Sequence, residues 1–121
     1  MKAMPTHKKS ARLPLLEAIT SASYPQLFTL WITLNIVFAL LYFLISTYSD
    51  LHGLTGLFEM EQRTRLFNSL YFSFITATTT GYGDILPMGF SKVLACVQAI
   101  VAFLIFAIFI SRLSTEKQNR R

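Results

Sequence analysis

The segment Thr78-Thr79-Thr80-Gly81-Tyr82-Gly83-Asp84-Ile85 carries the residue types and spacing from which chemistry can be read. Two glycines alternate about a tyrosine, with a run of threonines before them and an aspartate after. That order makes a poor helix and a poor strand. It suits a backbone whose carbonyl oxygens all turn toward one axis. Rings of such carbonyls replace the hydration shell of a dehydrated cation. For successive carbonyls to point one way, alternate residues must take left-handed backbone angles. Gly81 and Gly83 do so without a Cβ penalty. Thr79 adds its hydroxyl as a further oxygen at the inner end. Tyr82 points away from the axis, where its ring can pack and hold the ladder open. Asp84, at the outer mouth, concentrates cations by its charge. The alternative reading, a tight Gly-Tyr-Gly turn in an ordinary loop, is weighed by what flanks it.

The flanking elements read as membrane spans. Of the 121 residues, 53% are hydrophobic and only 14% charged, against about a quarter charged in ordinary soluble domains. Mean hydropathy is +0.48. No charged residue occurs from Ala18 to Ser49, or from Val93 to Ser111. A hydrocarbon core of about 30 Å needs roughly 20 helical residues. Residues 27–48 and 93–113 meet that length, so the fold class is an all-α membrane protein with two spans. Tyr42-Phe43-Leu44-Ile45 offers no small-residue cleavage site, so the first span reads as a permanent helix rather than a signal peptide.

Two spans place both termini on one side. The arm of residues 1–26 carries Lys2, Lys8, Lys9 and Arg12 against Glu17. The tail of residues 114–121 with Arg112 is equally basic, and the segment between the spans is slightly acidic. The positive-inside rule then puts both ends in the cytoplasm of a cell (plasma or inner) membrane. Topology and contact with anionic headgroups account for the basic excess, so no nucleic-acid partner is implied.

Leu13 to Ser23 is an expected interfacial helix with Leu13, Leu16 and Ile19 on one side, and Pro25 sits where a new helix can start. Tyr24, Trp31 and Tyr48 suit interfacial aromatic belts. Residues 49–65 form an extracellular loop in which His52 reads as a solvated histidine rather than a proton or metal sensor. Residues 66–78 are apolar but too short to cross. They read as a re-entrant helix, with Asn68 or Ser69 as N-cap. Its C-terminal, partly negative end favours a cation in front of it. Irregular backbone at membrane depth, as in residues 79–84, is tolerated only where protein or a water-filled cavity meets it. Residues 85–92 form an outer loop. Asn35 and Gln98 read as hydrogen-bond partners between helices. Cys96, the only cysteine, reads as a small hydrophobe. No catalytic constellation or nucleotide loop is visible, so the chain reads as no enzyme.

With these residues assembled, the chain resembles the two-transmembrane potassium channels of prokaryotic type, and the pore domain of larger ones, from about Phe28 to Arg112. The family pattern Thr-Val-Gly-Tyr-Gly-Asp stands here as Thr79-Thr80-Gly81-Tyr82-Gly83-Asp84. The resemblance implies a homotetramer whose filter carbonyls, from Thr79 through Tyr82, bind potassium as permeant ion, with no cofactor. Several positions depart from the pattern. Thr80 replaces the usual valine, and its hydroxyl needs a partner. Tyr71 and Phe72 stand where many members have a tryptophan pair bracing the filter. Ile75 stands where some bacterial members pair a glutamate with the aspartate, so the Tyr71 hydroxyl is the expected partner of Asp84. Ala102 occupies the usual place of a glycine hinge. Phe106 and Ile110 are expected to face the cavity and inner mouth, where Phe106 rings can gate by dewetting. The rival readings are a weakly selective cation channel and a non-conducting regulatory membrane subunit. No arginine-repeat helix marks a voltage sensor, and only a short tail follows the second span, without a soluble ligand domain.

Overall fold

The computed structural model describes residues 14–121. The basic arm of residues 1–12, and Leu13 with it, lies outside the described residues. Four helices follow in order: α1 Pro14–Ser21, α2 Tyr24–Tyr48, α3 Gln62–Ala77 and α4 Phe90–Asn119. Among the described residues no strand forms, and one isolated bridge joins Leu54 to Pro87.

The short helix α1 is the shorter form of the expected interfacial helix. After it the chain breaks at Ala22-Ser23 and restarts with Pro25 in the first turn of α2. Gln26, three residues into the helix, accepts the Ser23 N–H at 2.8 Å, which satisfies a donor the helix itself cannot. The 25 residues of α2 and 30 of α4 rise about 37 and 45 Å, so both are long enough to span. Phe28, Val37, Leu40 and Leu44 on α2, and Val93, Ile100, Phe103 and Leu104 on α4, are exposed on the isolated chain. Water does not tolerate so much apolar surface; lipid does.

The shorter helix α3 packs against both long helices, and these pack against each other. The core joining them consists of Phe38, Tyr42, Leu54, Leu57, Phe72 and Ile75. Tyr42 and Phe72 meet edge to face at 5.0 Å between ring centroids. Ala39 on α2 and Ala102 on α4 are fully or almost fully buried, and small residues there let helices approach closely.

The expected start of α3 is corrected. The helix begins at Gln62, with Glu61 before it, and Asn68 and Ser69 lie inside it rather than at its cap. Ser69 Oγ donates back to the Arg65 carbonyl at 2.8 Å. The polar first turn is held by Arg65, whose guanidinium group donates to the carbonyls of Leu57, Phe58 and Met60 at 2.8 Å each and to Thr47 Oγ1 at 3.1 Å. Charge therefore marks a tie to the loop here, not the end of the helix.

The loop between α2 and α3 is folded onto the ends of both long helices. Gly53 passes so close to α2 that a Cβ there would meet Ser46 Cα at 2.7 Å. Leu54 N–H donates to Ser46 Oγ at 3.0 Å. Thr55 and Leu86 exchange two bonds at 2.9 Å, and Met88 N–H reaches the Gly53 carbonyl at 2.8 Å. His52 is exposed, yet its Nδ1 accepts the N–H of Phe90, the first residue of α4, at 3.3 Å. At the opposite end, Arg112 of α4 donates to the Ala22 and Ile19 carbonyls that close α1. Tyr24 OH donates to Glu116 Oε2 at 2.6 Å.

Candidate functional site

The threonine-glycine segment begins where α3 ends, and the helix end shapes it. Thr78 closes α3, its N–H bonding the Phe74 carbonyl at 3.0 Å. Thr79 N–H then bonds the Thr76 carbonyl at 3.1 Å. The chain reverses, and the Ile75 carbonyl accepts two further donors: Thr80 N–H at 2.9 Å and Gly81 N–H at 3.2 Å. One backbone oxygen thus holds the lower half of the segment against the helix.

The dihedral angles carry the geometry. Thr79, Gly81 and Gly83 have φ of 57°, 50° and 82°, while Thr80 and Tyr82 between them stay on the ordinary side. Alternating hand at successive residues turns each peptide plane back, so that polar groups of one kind fall on one side. A Cβ built on Gly81 or Gly83 meets nothing within 4 Å. The need for glycine is therefore conformational, not spatial. Thr79 holds the same angle without being glycine, at a cost of about 1–2 kcal/mol. The hydrogen bonds at the helix end impose it. Sequence reasoning assigned left-handed angles to the glycines and missed Thr79, because nothing in a threonine signals them.

The structure gives each remaining site residue a place. Thr80 Oγ1 lies 2.9 Å from Thr78 Oγ1, and Thr78 Oγ1 lies 2.8 Å from the Phe74 carbonyl. With the Thr78 proton on that carbonyl, Thr80 is the donor of the pair. Thr78 heads the segment singled out in the sequence without a role of its own there; the structure makes it the partner of Thr80. Tyr82 is 71% exposed on the isolated chain. Its ring lies parallel to that of Tyr71, 6.5 Å between centroids and 3° between planes. The Tyr71 pKa lies above the ordinary value, raised by desolvation first and then by the neighbouring Asp84 carboxylate. Phe72 and Ile75 turn their side chains into the core instead, so their support of the segment runs through the helix backbone.

Below the segment, Ala77, Thr78 and Thr79 share a cavity of about 460 Å³ with Phe103, Phe106 and Trp31. Phe106 of α4 therefore faces the same space as the inner end of the segment. The Trp31 indole N–H, which borders it, is a buried donor without a partner among the described residues. Ile110 lies a turn further along α4, exposed and outside that cavity lining. Ala102 is 0% exposed: it faces the neighbouring helices of its own chain, in a helix unbroken from Phe90 to Asn119. Asn35 and Gln98, one amide from each long helix, are both buried and bonded to each other, Gln98 Nε2 donating to Asn35 Oδ1 at 2.9 Å.

Two apolar helices packed against a shorter third, with alternating left-handed angles just past its C-terminal end, define the pore domain of a membrane channel. The family described as ion channel, Ion_trans_2, matches residues 27–117, which take in all of α3 and most of α2 and α4. The chain belongs to this family of two-helix channel pore domains. Among curated proteins it is 35% identical over 63 residues to "Two pore potassium channel a" of Oryza sativa subsp. japonica, covering 49% of this chain and 18% of that protein. It is 30% identical over 60 residues to "Protein LctB" of Bacillus caldotenax, covering 50% of this chain and 45% of that one. The matches thus span less than half the length of either relative. No solved structure matches.

Proposed function

We propose that four copies of this chain surround a shared axis in the plasma membrane, or the inner membrane of a cell with two, and conduct potassium passively. The observation that carries this reading is the alternation of left-handed angles at Thr79, Gly81 and Gly83, immediately after the C-terminus of α3. A single ladder coordinates an ion from one side only. Closing the shell requires a ring of copies about one axis. The apolar faces left exposed on α2 and α4 supply surface for neighbouring copies and for lipid. Potassium is favoured over other cations by the intact Gly81-Tyr82-Gly83 and by the rice relative, named a potassium channel. Both termini lie in the cytoplasm by the charge asymmetry of the loops. Asp84 then stands at the external mouth and Thr79 toward the cytoplasmic cavity. Potassium is the permeant ion, and the mechanism requires no cofactor.

The purified chain, reconstituted in liposomes, tests this. With potassium on one side and sodium on the other, the reversal potential moves by about 59 mV for each tenfold permeability ratio. A potassium-selective pore shifts it by more than about 59 mV toward the potassium equilibrium potential. A shift near zero from a conducting tetramer supports the weakly selective reading and overturns this one. A stable tetramer without flux supports the regulatory-subunit reading.

A further inference from the structure

Behind the filter segment, away from the cavity, a closed circuit of side chains joins all three long elements. Gln98 of α4 is 0% exposed, as are Asn35 and Tyr42 of α2 and Ser73 of α3. Tyr42 OH donates to Gln98 Oε1 at 2.9 Å. Gln98 Nε2 donates to Asn35 Oδ1 at 2.9 Å, to Ser73 Oγ at 2.6 Å and to the Ser73 carbonyl at 3.0 Å. Ser73 Oγ passes its own proton to the Asn35 carbonyl at 2.7 Å, and Asn35 Nδ2 donates to the Trp31 carbonyl at 2.8 Å. Only one orientation of the Gln98 amide fits. Turned over, its oxygen would face Asn35 Oδ1 and the Ser73 carbonyl, neither of which has a proton to donate.

Such a circuit is sensitive to position. In lipid, apolar helix faces slide past one another at little cost, and side-chain hydrogen bonds set their register. A shift of α4 by one residue, about 1.5 Å, moves Gln98 out of reach of its partners. Ser73 sits half a turn before Ile75, whose carbonyl holds Thr80 and Gly81. Ala102 and Ile105, further along α4, are buried on its packed side as Gln98 is. Displacement of the cytoplasmic half of α4 is therefore met first at Gln98 and passed through Ser73 to the carbonyl that holds the ladder.

We infer that Gln98 is a positioning residue for the filter: its amide fixes the depth of α4 against α3 and so keeps the conducting conformation in place. The inference rests on the conduction reading above. Gln98→Met keeps length and bulk but removes every hydrogen bond. Single-channel recording is expected to show open probability reduced about tenfold, with unitary current and thermal stability of the tetramer near wild type. Ser73→Ala is expected to act in the same direction, and the double variant to be little worse than Gln98→Met alone. Gln98→Glu supplies a rescue. Protonated at acidic pH, it donates to Ser73 or Asn35 and accepts from Tyr42, so gating returns toward wild type. Ionised at alkaline pH, it donates nothing and gating fails. A stable Gln98→Met channel with wild-type open probability overturns the inference, as does strict additivity with Ser73→Ala. If Gln98→Met does not assemble, the pH dependence of Gln98→Glu and the gating of Ser73→Ala decide in the same way. Wild-type chain that passes no potassium removes the conduction reading instead, and is distinguished by the wild-type control.

Discussion

The replacement Gly81→Ala isolates the conformational requirement of the ladder. A Cβ at Gly81 meets nothing within 4 Å, so steric crowding within the subunit contributes nothing. What remains is the left-handed angle, φ of 50°, which costs an L-residue about 1–2 kcal/mol. If all four copies must hold that angle together, the conducting conformation loses about 4–8 kcal/mol relative to any alternative. At 1.36 kcal/mol per tenfold, its occupancy falls by about a thousandfold or more. The helices and their core take no part in this, so the tetramer is expected to form and to melt as the wild type does. Electrophoresis of the unboiled protein reads assembly; single-channel recording in liposomes reads conduction. The expected result is a stable tetramer with no resolvable current. Wild-type unitary current from Gly81→Ala would refute the ladder geometry, because no other interaction of that Cβ is available to offset the angle.

Tyr71→Phe keeps the ring parallel to Tyr82 but removes the hydroxyl beside Asp84. It should hasten entry into a non-conducting state; unchanged conductance and inactivation would dismiss the pair. Because the Tyr71 pKa is raised above 10.0, the hydroxyl keeps its proton between external pH 7 and 9 and loses it only as pH rises through the raised value. Currents recorded between external pH 7 and 9 should therefore show no change attributable to it. Gly89→Ala adds a Cβ 2.2 Å from His52 Nδ1 and 2.8 Å from the Leu51 carbonyl, at a φ of 48°. It should destabilise the junction of loop and α4 by about 2–4 kcal/mol, read as a lowered melting temperature of the tetramer. Phe106→Ala opens the space shared with Thr79 and should raise open probability or the access of inner blockers.

Legibility followed locality. The left-handed angles at Gly81 and Gly83 could be read directly, because glycine announces them. The spans could be read because charge is absent from them. The left-handed Thr79 could not, since its angle comes from the bonds that end α3 and not from threonine. The start of α3 was missed for a related reason. Arg65 looks like a solvated loop residue, but four contacts with loop carbonyls and Thr47 make it part of the helix. His52 likewise reads as solvated, while its imidazole caps α4 across 38 residues. Gln98 and Asn35 could be read as helix-to-helix partners from their polarity alone. That they meet each other, with Ser73 and Tyr42 completing the circuit, depends on the crossing of three helices, which single-sequence patterns do not encode. Phe72 and Tyr71 are adjacent in sequence, and only the helix rotation buries one in the core and lays the other, at the core's edge, against Tyr82.

The Ile75 carbonyl has a consequence for how the segment tolerates change. It holds Thr80 and Gly81 with an atom that every residue type possesses. The side chain of Ile75 points elsewhere, into the core. Replacing it alters packing without deleting the tether, so the start of the segment is insulated from exchange at the very position that supports it. The vulnerable chemistry lies on the donor side. Proline at position 80 or 81 would remove an N–H outright.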